Sequence, residues 1–303
     1  MGRSSRLLAV LPLLGLGELG AHAYFATRAP SFEDYAALAP RLVALKRPDM
    51  PVVASPGWAE PLLRQAAPEA FPLTEVARPD DAGFASFLDV SLPSVPQQSG
   101  SKLAHFLEQS EEQVGPFRLR ILKNPRFEPR RFDFVTALEA GLARVSNAVE
   151  GELLPCPLTE ASRSRTGGLH GPVARPRRYH ACREDRAVAV TVIEDQGYRA
   201  RRCMLIEAPA RGSVVLEFQD VPASAKLVGF AGFPYFLERD AEGAQVELTL
   251  GEGGHELGRH RVAAARGWVR FDVPRPNPRG DVTVDATWRV EPPRELCLAL
   301  EAR

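Results

Sequence analysis

The residues best suited to chemistry in this chain are scattered, and their spacing says more about binding than about catalysis. Gly229-Phe-Ala-Gly-Phe-Pro-Tyr-Phe236 sets four aromatic rings around two glycines. Stiff aromatic side chains offer large apolar area at low entropy cost, the kind of surface on which the C–H face of a sugar stacks. Phe233, Tyr235 and Phe236 are therefore candidate ligand contacts, with Tyr198, Trp268 and Trp288 as further aromatics. The same rings could equally fill a core, which is the better reading for the two tryptophans. Arg199-Ala-Arg-Arg202 supplies cations, and Arg199 and Arg201 are candidate contacts for phosphate or uronate groups. The competing reading is a solvated, charged strand edge that discourages aggregation.

Catalytic patterns are not met. Glu194-Asp195 and Asp220 are the only acids placed at strand ends in a way that would suit glycoside hydrolysis, which needs a carboxylate pair about 5–10 Å apart. Acids at such positions more commonly cap turns. There is no G-x-S-x-G and no H-E-x-x-H. Gly15-Leu-Gly-Glu-Leu-Gly20 fits the letters of a dinucleotide-binding turn, with Glu33 and Asp34 at a suitable distance for the ribose. No strand precedes it and none ends at the acids, so its context fails. No cofactor is expected. For a metal, His255 and His260 flank a turn, and His170 and His180 lie near cysteines, but no pair has finger-like spacing.

Cys156, Cys182, Cys203 and Cys297 are the only cysteines. An even number in an exported chain suggests two disulfides, for which three pairings exist. Cys156–Cys182 and Cys203–Cys297 are favoured: the first brackets a loop rich in Arg, Gly and Ser, and the second would tie early and late strands of one module.

Export is indicated by the N-terminus. Arg3 and Arg6 precede an apolar run, Leu7 to Leu14, and Ala21-His-Ala23 forms a cleavage pattern. The alternative is an uncleaved anchor over residues 7–26, of the length of about 20 residues that a spanning helix needs, but with Glu18 near its middle. The protein is thus expected to be periplasmic or otherwise extracytoplasmic, either anchored by residues 7–26 or released after Ala23. Lys+Arg and Asp+Glu both number 38, so the net charge is zero. This excludes the cation excess of a general nucleic-acid binder, and any membrane contact is expected only through the N-terminal segment.

The elements that would carry these residues form an α+β chain of two modules. Residues 30–130 read as a small α/β domain. Ser31 caps a helix from Phe32 to about Lys46, with Pro40 as a kink or break; further expectations are a strand at 50–55, a helix near 62–65, a strand or turn at 72–76, a strand at 87–91, a helix at 103–113 and a strand at 117–122. Residues 131–185 are ambiguous between helix and strand up to Val145, then rich in Pro, Gly, Ser and Arg, as a linker or irregular disulfide-held segment would be. Residues 186–303 alternate as strands at 187–193, 202–207, 214–219, 227–230, 245–250, 256–262, 268–273, 282–290 and 296–301, separated by turn signals. That pattern predicts an antiparallel β-sandwich of jelly-roll type.

Two resemblances add to this. Asp34-Tyr35, Pro51-Val-Val-Ala-Ser-Pro56, Trp58 and Gly115-Pro-Phe-Arg-Leu-Arg120 resemble, in order, the soluble domain that follows the last membrane helix of GT-C glycosyltransferases of the protein-mannosyltransferase type. Those enzymes hold their catalytic acids in loops of a multi-helix membrane domain, which this chain lacks. The resemblance therefore implies an envelope-glycan context and a membrane glycosyltransferase partner rather than transferase activity. Val246-Glu-Leu-Thr-Leu250, Leu257-Gly-Arg-His260, Gly267-Trp-Val-Arg-Phe271 and the closing strands resemble galactose-binding-like and carbohydrate-binding-module sandwiches. The expectation is a non-catalytic, exported, glycan-binding or accessory module of the cell envelope. An enzyme of glycan or lipid-linked sugar metabolism and a purely structural interaction module are the alternatives.

Overall fold

The computed structural model describes residues 14–21, 30–93, 105–164, 175–195, 199–209, 211–234, 245–263, 266–276, 279–289 and 295–303. Tyr198, Tyr235, Phe236, His170 and most of the N-terminal segment read as an export signal lie outside the described residues. Gly15, Gly17 and Gly20 fall in a helical stretch, 14–21, so no phosphate-binding turn forms there. Among the described residues no helix is long and apolar enough to cross a membrane. The chain divides into two compact units, residues 1–72 with 84–125 and residues 73–83 with 126–303.

The first unit is a four-stranded sheet covered by helices on one face. Helix α1 (Phe32–Leu45) starts at a capping box: the Ser31 side chain accepts from the Asp34 N–H, and Asp34 accepts from the Ser31 N–H. Pro40 lies inside α1 without ending it. Strand β1 (Val52–Ser55) leads through α2 (Glu60–Ala66) to β2 (Ser86–Ser91), which pairs parallel with β1. β3 (Leu107–Val114) and β4 (Phe117–Lys123) form a hairpin, giving the order β1-β2-β4-β3. Leu88, Val90, Leu119 and Phe117 face Tyr35, Leu38, Leu42 and Leu63 in one core. On the other face Asp89 is fully buried, accepting from the Ser55 hydroxyl at 2.9 Å and from Arg120 at 2.7 Å.

β3 corrects the helix expected at 103–113. Its Glu and Gln residues favour helix in isolation, but its backbone pairs with β4 and its acids meet cations there. Arg41 chelates Glu112, and Arg118 lies 3.7 Å from Glu111.

The second unit is a β-sandwich. Its strands are β5 (Phe132–Asp133), β6 (Ala143–Val149), β7 (Glu152–Pro155), β8 (Leu158–Glu160), β9 (Arg178–Ala181), β10 (Ala187–Glu194), β11 (Ala200–Ile206), β12 (Ser213–Val221), β13 (Lys226–Gly232), β14 (Gln245–Glu252), β15 (His255–Ala263), β16 (Val269–Pro274), β17 (Gly280–Trp288) and β18 (Leu296–Ala302). One sheet has the order β16-β13-β18-β11-β10-β9-β8, with β5 beside β18; the other runs β15-β14-β17-β12-β6-β7. All these pairings are antiparallel.

Alternation explains the layers. Val214, Leu216 and Phe218 of β12, Val246, Leu248 and Leu250 of β14, and Val282, Val284 and Ala286 of β17 turn inward against Met204, Ile206, Leu298 and Leu300 of the facing sheet. Gly229 on β13 has no room for a side chain, because a Cβ would lie 2.0 Å from the Phe271 ring. The strands expected from 187 onward all form, within two or three residues of their predicted ends.

Two organisational expectations change. The described residues of 131–185 are no linker: β5 to β9 and the helix α4 (Phe134–Glu139) are built into the two sheets and their core. Residues 73–83, with the helical turn α3 (Leu73–Val76), belong to the sandwich. Pro79 O receives the Trp268 indole N–H at 3.3 Å, and Arg201 Nη1 donates to Arg78 O and Pro79 O at 2.9 and 3.0 Å.

Both favoured disulfides form, Cys156–Cys182 and Cys203–Cys297, and no described cysteine is free. This is the cysteine usage of a domain folded in an oxidising compartment. Cys203 and Cys297 lie on the neighbouring strands β11 and β18 and are fully buried with Ile193 and Leu205.

Candidate functional site

Of the aromatic segment proposed as a platform, Phe233 is 2% exposed and belongs to the sandwich core, so it cannot stack on a ligand. Tyr235 and Phe236 lie outside the described residues. Trp268 and Trp288 pack partly buried against the core, as expected.

The basic stretch is consumed by structure. The side chains of Arg201 and Arg202 on β11 meet protein partners. Arg201 Nε donates to Asp195 at 2.8 Å and its guanidinium lies 5.6 Å from the Trp268 ring centre. Arg202 donates to Thr136 and Glu139. Arg199 is exposed, and only its backbone N–H reaches Asp195. Asp195 is therefore spoken for, and Asp220 sits on the other sheet, so the structure does not bring these acids together. His255 and His260 form no metal cluster: His260 stacks on Phe271 at 4.3 Å, and no group of metal-binding side chains occurs among the described residues.

Two polar clusters of the sandwich stand as candidates. The first surrounds Arg303. Its side chain is 1% exposed and meets Asp80 at 2.7 Å, Glu301 at 2.5 Å and Glu128 at 3.2 Å. Arg270 and Lys226 reach the same Glu128 and also Asp272. The Arg270 and Lys226 hydrogen bonds hold the Asp272 carboxyl down at about 2, whereas burial pushes Glu301 up despite Arg303 beside it. Every charge here has a counter-charge within the protein.

The second cluster lines a cleft of about 90 Å³ at the β8–β9 edge. Asp133 caps α4 by accepting from the Thr136 N–H at 3.1 Å, and Phe134 anchors the helix edge-on against Phe218 at 4.8 Å. The helix thereby presents Leu138 and Glu139 to one wall. β10 supplies Val188 and Val190, and the β8–β9 hairpin supplies Leu158, Arg178 and His180.

His180 is the notable group. It is 5% exposed, and its Nδ1 lies 3.1 Å from the Cys156 carbonyl oxygen. A carbonyl only accepts, so the proton is on Nδ1 and the Nε2 lone pair is left over. Nε2 has no partner. Burial, with Arg178 nearby, lowers the imidazole below its ordinary value, which favours that neutral tautomer. A buried acceptor without a donor is costly. No sequence motif marks this cleft, and in the sequence His180 stands out only as a candidate zinc ligand beside the cysteines.

No family model matches the chain, and no curated protein matches it. Among solved structures, the CBM51-2 and INT domains of ZmpB from Clostridium perfringens align at 6% identity and TM-score 0.29, over 38% of this chain and 26% of that one. The tandem CBM51 modules of a family 98 glycoside hydrolase from Streptococcus pneumoniae align at 11% identity and TM-score 0.29, over 63% and 56%. TmCBM61 in complex with β-1,4-galactotriose aligns at 17% identity and TM-score 0.24, over 37% and 78%. The chain thus spans about a quarter of the first of these proteins. Similarity this low adds no argument to the geometry.

Proposed function

We propose that this protein is an exported glycan-binding module of the cell envelope and that the cleft between α4 and the β8–β9 hairpin is its binding site. The observation that carries the reading is the unpartnered, buried Nε2 of His180, a residue that lines a cleft with an apolar wall and a charged rim. A sugar offers that combination: hydroxyls that donate to a lone pair, and C–H faces that cover Leu138, Leu158 and Val190. Orienting polar groups within a mostly apolar concavity are the usual make-up of a small-molecule site. The two disulfides fit an extracytoplasmic location. The resemblance of the first unit makes a membrane glycosyltransferase the proposed partner.

The reading is tested by presenting the oxidised, full chain to an array of envelope glycans, alongside Leu158→Trp. Leu158 is 42% exposed at the rim, so the larger ring is tolerated and occupies the cleft. Binding by the wild type that is lost in Leu158→Trp is the expected result. Equal binding by both proteins would place the site elsewhere, and no binding by either would favour a protein partner.

A further inference from the structure

The charges around the cleft do not cancel. Glu139 is paired with Arg202, Arg177 reaches Glu160, and the buried Arg175 is held by Glu207. Arg178 is exposed and makes no ion pair among the described residues. Its position is fixed by Gly141, which follows α4: a Cβ there would lie 3.0 Å from Arg178 Nη2 and 3.1 Å from Leu158 Cδ2. The guanidinium and the Leu158 methyl thus lie side by side against the Gly141 backbone, at the rim of the cleft. Gly141 has φ +78°, a conformation that glycine adopts without strain.

Arg178 and His180 are two residues apart on β9, so they share one face of the sheet and stand about 7 Å apart along the strand. That spacing suits one pyranose ring with its substituents. The ring would meet a fork of guanidinium donors at one end and a lone-pair acceptor at the other.

We infer that the cleft selects a sugar bearing an anionic substituent, a carboxylate or a phosphate, which Arg178 receives. This rests on the glycan-binding reading above and names the substrate class for the same site. Guanidinium suits the task because its planar fork matches either anion with two parallel hydrogen bonds. A neutral glycan would leave Arg178 hydrated and gain nothing from it. The acidic ligand gains a charge-assisted hydrogen bond, which at this exposed rim corresponds to about tenfold in affinity.

Calorimetric titration of the full, oxidised chain with three probes tests this: an oligoglucuronate, the neutral glucose oligomer of equal length, and the same oligomer carrying a terminal phosphate. The wild type is expected to bind at least one anionic probe about tenfold more tightly than the neutral one, with the gap narrowing at high salt. Which anionic probe binds better identifies the carboxylate or the phosphate as the natural group. Arg178→Gln should bring acidic and neutral probes to the same affinity, and Arg178→Lys should keep part of the preference. Equal binding of charged and neutral probes by the wild type overturns the inference and leaves the glycan-binding reading standing. So does an Arg178→Gln variant that weakens all three probes alike, which would make Arg178 part of the wall only. No binding of any probe, in a protein that also recognises nothing on the array, overturns both.

Discussion

The Arg303 cluster and the His180 cleft are built on the same sandwich from the same kinds of side chain, yet they end in opposite states. At Arg303, Lys226 of β13, Arg270 of β16 and Arg303 itself interleave with Asp80, Glu128, Asp272 and Glu301, and the Arg303 guanidinium lies 5.9 Å from the Phe230 ring centre. At the cleft a lone pair is buried without a donor and a guanidinium is left without an anion. Satisfied charges fix segments of chain in place, here residues 73–83, whose Asp80 pairs with Arg270 of β16 and with Arg303. A buried lone pair without a donor costs stability, and under the glycan-binding reading it is a ligand that meets it. Richness in charge therefore does not by itself distinguish a site from a staple.

The contrast is sharpest in what each cluster loses on substitution. Arg303→Met removes the cation that three carboxylates share, and should destabilise the sandwich by about 3–5 kcal/mol, read as a lower urea midpoint and faster amide exchange in β13 and β18. A change below about 1 kcal/mol would mean that the network is ornamental. Next comes the hairpin that forms one wall of the cleft. β9 meets β10 only at Ala187–Ala181 and Val188–His180, whereas β10 and β11 pair along most of their length. Opening the Cys156–Cys182 link, with its separation of 26 residues, in Cys156→Ser/Cys182→Ser costs up to about 3.5 kcal/mol in the chain-entropy model. The variant should raise amide exchange across 157–164 and 178–181 and weaken glycan binding, while β12, β14 and β17 stay protected. Uniform loss of protection would show that the hairpin is no separate unit.

Acid should act on the two clusters in different windows. His180 sits below its ordinary 6.5 in the folded state. The unfolded chain then takes up a proton that the fold refuses, so this contribution to stability is lost as pH falls below 6.5. Asp272 sits at about 2 against 3.8 unfolded. Its contribution is complete above 3.8 and is lost as pH falls through 2. Titration of the His180 imidazole and Asp272 carboxyl by nuclear magnetic resonance checks both; an imidazole midpoint above 6.5 would contradict the neutral tautomer. The smallest effect on the fold is expected at Arg178→Gln, within about 0.5 kcal/mol of wild type, because its side chain is exposed and unpaired.

The sandwich strands from 187 onward were legible because apolar residues alternate along them, as in Val246-Glu-Leu-Thr-Leu250. Leu107-Glu-Gln-Ser-Glu-Glu-Gln-Val114 was not, since its composition favours helix and only pairing with β4 and the reach of Arg41 and Arg118 make it a strand. β7, β8 and β9 are too short to show a period, and their turn-like composition hides that they close both sheets. The cysteine pairing was legible and frames the site: His180 stands two residues before Cys182. The cleft itself was not, because its walls come from α4, β8, β9 and β10 and meet only through tertiary packing. Phe233 and Arg201 illustrate the converse, being prominent in the sequence and fully used inside the fold.

The central proposal is that the cleft lined by His180 and Arg178 is the binding site. It is tested most directly by following the side-chain resonances of His180, Arg178, Arg270 and Arg303 while an oligoglucuronate is added. The account predicts that the His180 Nε2 and Arg178 guanidinium signals move together and saturate at one ligand concentration, with Arg270 and Arg303 still. Shifts centred on Arg270 and Arg303, with His180 unmoved, would contradict it.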